Sequence, residues 1–280
     1  TNPIRSLTTQ QVNALTDTQI SGMTTAQIAV LTSEQFQSLS DNGFLGLAVK
    51  SLRDLTSAQL ASMSTKQISS LSFQQTETIG TGQISAWNSS QVGALGTQYF
   101  FALNTASIAS LTSDQLPGLT TAQMKAFTAE QVAAIKDSQA PLFSTTQLTA
   151  IDSNDVPSLS TAVITNLTTS QIGAITTDQI KALTTAQIRA IQTEDFENLT
   201  TSQTVTLDEY QVPVLTTAQI VALTSDQAKT LTTGQITYLT TSQVRSIETR
   251  DLVAMTTDQI VAMSSSQLAA MNSAQVSSLS

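Results

Sequence analysis

Three short acidic runs are the places in this 280-residue chain where side chains could gather around a metal ion. Asp41-Asn42-Gly43, Asp152-Ser153-Asn154-Asp155 and Glu194-Asp195 each look like a fragment of a calcium loop, where carboxylate and amide oxygens ligate a hard cation. None has the ligand spacing of an EF-hand, and the same residue types serve as substitute helix N-caps or as turns. The chain has no histidine and no cysteine. That removes the commonest general base and metal ligand, as well as disulfide and thiolate chemistry. The carboxylates of Glu194 and Asp195 come with no pocket around them. No catalytic residue, no cofactor-binding residue and no metal ligand is therefore assigned, and the chain is read as not an enzyme.

The remaining chemistry is recognition. Faces rich in Gln and Thr could hydrogen-bond a glycan, and regular Thr rows suit an ice-binding surface. Both uses compete with helix capping, which would consume the same side chains. Asn88-Ser89-Ser90, Asn166-Leu167-Thr168 and Asn198-Leu199-Thr200 fit the glycosylation acceptor triplet, a pattern that arises easily in so threonine-rich a chain. Tyr99, Tyr210 and Tyr238 stand apart and suggest no stacking platform. With a net charge of −9 the chain offers no basic footprint for nucleic acid and no polybasic patch for anionic lipid. No apolar run is long enough to span a bilayer, so no membrane insertion is expected.

What must position any such residues is a repeat. From Leu7 to Met271 every eighth residue is apolar, through 34 complete octads with the consensus Leu-Thr-Thr-x-Gln-Ile-x-Ala. An unbroken period this short reads as an array. Residues 1–280 are accordingly expected to form a single continuous octad-repeat solenoid. Both ends cut an octad and carry no polar capping repeat, so the chain is expected to be a segment of a longer chain or of a polymer.

Positions 2 and 5 of the octad make the pattern Ser/Thr-x-x-Gln, a capping box, while positions 1 and 6 are the two partners of a hydrophobic staple. In the octad beginning at Leu183, Thr184 is the expected N-cap, Gln187 its reciprocal partner, and Leu183 and Ile188 the staple. Gln fills position 5 in 26 of the 34 octads. Acids collect at position 4 (Glu130, Asp178, Asp226) and bases at position 7 (Lys181, Arg189, Lys229), as a helix dipole favours. Asp178–Lys181 and Asp226–Lys229 are also spaced as i,i+3 pairs. A continuous helix fails, because an octad does not fill whole turns and the apolar stripe would drift. A flat strand fails because positions 1 and 6 have opposite parity. The expected fold is all-α: a solenoid of very short helices, one per octad. A β-solenoid is the alternative, since Thr, Val and Ile favour strands. Position 6 weakens at Thr76, Ala140, Thr204 and Ala228, which are expected soft spots.

A longer period overlies the first. Irregular octads begin at Leu39, Leu95, Ile151 and Leu207, and a second set begins at Ile79, Ile135, Ile191 and Ile247, each set recurring every seven octads. Pro157 and Pro213 share that spacing. If seven octads close a whole number of turns, each turn holds 7/2 or 7/3 octads. The value expected is 7/3, a coil of about 19 residues that sets the two irregular sets about 51° apart on one side.

The run Leu167-Thr-Thr-Ser-Gln-Ile-Gly-Ala-Ile-Thr-Thr-Asp-Gln-Ile-Lys-Ala-Leu-Thr-Thr-Ala-Gln-Ile resembles the Leu-Thr-Thr-x-Gln-Ile/Val octapeptide regions of very large secreted proteobacterial surface or adhesin-like proteins. The resemblance covers essentially the whole chain and implies an extracellular or cell-surface location, but it carries no functional residue across. The function expected is structural, as a filament or surface stalk that self-associates end to end or side by side. The alternative is an adhesin segment that holds a polysaccharide or host surface through the octads around Asp152, Glu194 and Asp208.

Overall fold

The computed structural model describes residues 3–279. Among these residues all regular structure is helical, in pieces a turn or so long, one to each octad and with no strand. The β-solenoid alternative is thereby set aside.

The octad beginning at Leu183 shows how the pattern is made. Thr184 is extended (φ −66°, ψ 159°), and the helix Thr185–Ala190 starts immediately after it. The Gln187 backbone N–H donates to Thr184 Oγ1 at 3.2 Å, and Gln187 Oε1 accepts from the Thr184 N–H at 2.8 Å. Both halves of the capping box are closed. The helix stops because Ile191 returns to an extended conformation and the next box begins. A helix this short cannot stand alone, so stacking must hold it.

Prolines vary the theme. Pro117, Pro141, Pro157 and Pro213 all occupy position 7, and each lies in a 3₁₀ segment: Leu116–Gly118, Asp137–Leu142, Val156–Ser158 and Val212–Val214. Proline has no N–H to give the carbonyl one helical turn back, so the α-turn is not completed there.

Positions 1 and 6 supply the core, as expected. Ile188 is fully buried and Leu183 nearly so, and position 6 accepts rings at Phe36, Phe44, Phe100 and Phe196. Each such side chain contributes about 1.5–3 kcal/mol by burial. The expected soft spots are buried too. Thr76 and Thr204 place their hydroxyls on the carbonyls of Ser72 and Thr200, both at 3.0 Å. Ala140 and Ala228 are simply smaller.

The chain divides into two compact units, Thr1–Ile135 and Lys136–Ser280, and each is built in this way. Within each, helices pack on those three octads away. Asp17–Ser21 meets Asp41–Leu45 in the first unit, and Thr169–Ala174 meets Thr193–Phe196 in the second. Hydrogen bonds reach one octad further, to residues 31 positions earlier. The cross-turn bonds to position-1 carbonyls span 28 residues, so a turn is close to 7/2 octads and the expected 7/3 is wrong. The reason is steric. Corners of about 100° bring octads round with room for two large inward side chains each, whereas the sharper corners of the tighter coil would drive those side chains together. Within a unit the two irregular sets consequently lie about 154° apart, on opposite sides, rather than on one side.

Candidate functional site: the glutamine clamp between turns

The residue that does most in the majority of octads is the position-5 glutamine, and its second role is not apparent from the capping pattern. Gln187 is 1% exposed. Its Oε1 serves the cap of its own helix. Its Nε2 donates to the backbone carbonyls of Val156 at 2.9 Å and Leu159 at 2.7 Å, which lie 31 and 28 residues earlier. The same geometry recurs. In the first unit Gln123 reaches Val92 and Leu95, and Gln131 reaches Phe100 and Leu103. In the second, Gln243 reaches Val212 and Leu215, and Gln267 reaches Ile236 and Leu239.

One amide thus satisfies a helix N-terminus on one side and two carbonyls of the preceding turn on the other. This explains how the interior tolerates a polar side chain in nearly every octad, because each group is hydrogen-bonded. A signal for the second role was present in the sequence. A capping box accepts Glu as readily as Gln at N3, yet position 5 never holds Glu in this chain. Only Gln carries the donor that the facing carbonyls require.

The exceptions are informative. Asp195 and Asp251, seven octads apart, hold position 5 in the octads beginning at Ile191 and Ile247. Each accepts from a hydroxyl 26 residues earlier: Thr169 Oγ1 to Asp195 and Ser225 Oγ to Asp251, both at 2.7 Å. The seven-octad spacing therefore returns the same environment within this unit. Asp251 is fully buried, and its Oδ2 has no hydrogen-bond partner, while Oδ1 lies 3.5 Å from Arg250 Nε.

Asp152 and Asp208 bond the backbone just after them, while the other acidic runs do not cap. Asp208 Oδ1 accepts from the N–H groups of Tyr210 and Gln211, both at 2.9 Å. Asp152 Oδ1 accepts from the N–H and side-chain amide of Asn154. Ser40, not Asp41, caps the helix Asp41–Leu45. Glu194 is exposed while its neighbour Asp195 is buried, so the two carboxylates do not face a common space. Among the described residues no three acidic groups converge as a metal site would require. Asn88 is consumed as an N-cap, its Oδ1 accepting from the Gln91 N–H at 3.0 Å. Among the described residues the ion pairs involve Lys66 and Arg250, and the i,i+3 pairs Asp178–Lys181 and Asp226–Lys229 do not close. Lys66 meets Asp41, in an octad of the adjacent turn. Glu130 has its carboxyl held below the usual range, first by its own backbone N–H and then by the Thr128 hydroxyl.

One expectation about aromatic residues is overturned. Tyr99 is not isolated. Its ring lies 6.2 Å from that of Phe73, almost one turn earlier in the chain, and Phe101 lies 5.9 Å from Phe73. The turn brings together positions that the linear sequence separates.

Comparison with known families agrees with the repeat. The chain is similar to the ALTTAQ repeat family over residues 100–129, 148–185 and 244–280. No curated protein matches the chain. Among the described residues no helix is long and apolar enough to cross a membrane.

Proposed function

We propose that this chain is a structural element, an array of short helices that forms, or belongs to, an extracellular filament or surface stalk. The observation that carries the reading is the glutamine clamp. Most octads bring their own cap and their own pair of core side chains, and a position-5 glutamine such as Gln187 adds two bonds to the turn before it. An array with these properties lengthens by adding identical units, each stabilised mainly by its neighbours. The total absence of His and Cys from the sequence suits a scaffold better than a catalyst. The extracellular or cell-surface location rests on the resemblance to secreted octapeptide-repeat proteins.

Electron microscopy of the purified native material, with mass spectrometry of the chain it belongs to, tests the reading. Fibres, or a larger parent chain in surface fractions, are the expected result. Dispersed monomers with no fibres and no larger parent chain contradict it.

A further inference from the structure

Phe73, Tyr99 and Phe101 form the one exposed aromatic cluster among the described ring pairs. Phe73 is 38% exposed and Phe101 51% exposed, so both rings reach solvent. The two rings are tilted by 33° at 5.9 Å, while Tyr99 stands against Phe73 edge-on at 64°. The positions make this unusual. Position 3 is normally Thr or Ser, position 5 is normally Gln, and position 7 is an outward position. Two departures from the repeat, Phe73 and Tyr99, meet a ring at a variable position, Phe101, across adjacent turns.

The departures weaken the local fold. The octad beginning at Leu95 has Gly96 at the cap and Tyr99 where the clamp should be, and its helix Thr97–Phe100 has no side-chain cap. It gives up the capping box and the clamp donor together. The ring contacts return part of what the missing cap and clamp give up, and a local rule broken in this way, with the rings left partly in solvent, marks a candidate site.

We propose that this cluster binds a neutral linear polysaccharide, with successive sugar rings lying over Phe73 and Phe101. The C–H face of a pyranose is apolar and slightly positive, complementary to the negative face of an aromatic ring. Gln74 and Gln98, both exposed, are the chain neighbours of Phe73 and Tyr99 and carry amides able to serve sugar hydroxyls. Of residues 71–78 and 95–102 only Glu77 is charged, and the helices packed on these two octads add Arg53 and Lys125, so the surroundings hold charges of both signs and no cluster of one sign. Nucleobases also stack on rings, but a chain of net charge −9 lacks the cations that phosphates need. The site stands independently of the structural reading. It differs from the expected binding octads around Asp152, Glu194 and Asp208, where Asp152 and Asp208 bond the chain just after them and Asp195 makes a cross-turn bond.

The test uses the intact chain with cellulose, chitin, curdlan and a soluble β-mannan, read by pull-down and affinity electrophoresis. Phe73→Thr and Phe101→Ala, singly and together, remove the rings while placing repeat-compatible residues at exposed sites. Helical circular dichroism and the melting curve of each variant check the fold. Tyr99→Gln restores the repeat residue and serves as a second, fold-strengthening variant. The expected result is retention by at least one polymer, weakened about tenfold or more in the double variant with melting unchanged. Binding to none of the four polymers, or equal binding by the double variant, overturns the proposal. So does concentration-dependent self-association that the same substitutions abolish without any polysaccharide binding, which would make the face a contact between copies.

Discussion

Replacing Gln187 by Glu isolates the clamp from the cap. The two side chains are nearly isosteric, and Oε1 of either can accept from the Thr184 N–H, held at 2.8 Å in the native chain. The change is at Nε2, where a donor to the Val156 and Leu159 carbonyls becomes a third oxygen facing them. Two hydrogen bonds are lost, each worth about 1 kcal/mol, and the Leu159 carbonyl, left unpaired while that of Val156 keeps the Leu159 N–H, adds about 1–3 kcal/mol more. A total of about 3–5 kcal/mol is expected at neutral pH. Thr184→Ala removes only the cap and should cost about 0.5–2 kcal/mol. The pH dependence gives a second handle. Burial against carbonyls raises the pKa of the introduced carboxyl above its unfolded value. Its protonated form, which can donate one bond, is therefore favoured in the folded state. The variant should then recover stability relative to wild type on going from pH 7 to pH 4, and lose it again as the pH rises through the folded value. Because an array need not unfold in one step, denaturant curves followed by circular dichroism should be paired with hydrogen exchange at the Ile188 and Ile191 amides. Equal losses for Q187E and T184A at pH 7, or no relative gain at pH 4, would refute the reasoning.

Three further outcomes follow from the same geometry. Asp251→Gln should stabilise the second unit by about 1 kcal/mol in denaturant unfolding, because it replaces a carboxylate whose Oδ2 has no partner by an amide able to donate to the preceding turn. Gly118→Ala should destabilise by about 1–3 kcal/mol, since a Cβ there would land on the Ser89 carbonyl, whereas Gly82→Ala, with no atom within 4 Å of the added carbon, should stabilise by about 0.5–1 kcal/mol; paired thermal melts decide both. Glu130 is held below the usual carboxylate range, so any benefit over Glu130→Gln is complete at neutral pH and lost as the pH falls through its folded value; melting curves of the two proteins should converge in acid.

Much of the fold was legible because each octad repeats its own instructions. Thr184, Gln187, Leu183 and Ile188 could be assigned as cap, reciprocal partner and staple from local spacing, and the structure places them there. What local spacing does not contain is the angle of the corner. Two extended residues at positions 1 and 2 are compatible with several octad counts per turn, and the volume of the inward side chains selects 7/2. The functional surfaces depend on that count. The Gln187 donor meets Leu159, and Phe73 meets Tyr99 and Phe101, only because a turn is near 28 residues. The acidic runs carry no metal assignment, and Asp152 acts as the cap-or-turn reading expects: like Asp208, it spends an oxygen on the chain two residues on.

The central claim is that side-chain amides of position-5 glutamines tie each turn to the one before. Hydrogen exchange of glutamine Nε2 protons, resolved by NMR in the native protein, tests it directly. Gln123, Gln187, Gln243 and Gln267 should exchange slowly, in step with the core backbone amides around them. Gln10, Gln37 and Gln98, which face solvent, should exchange at the rate of a free side chain. Uniformly fast exchange across both groups would contradict the clamp and the stacking account built on it.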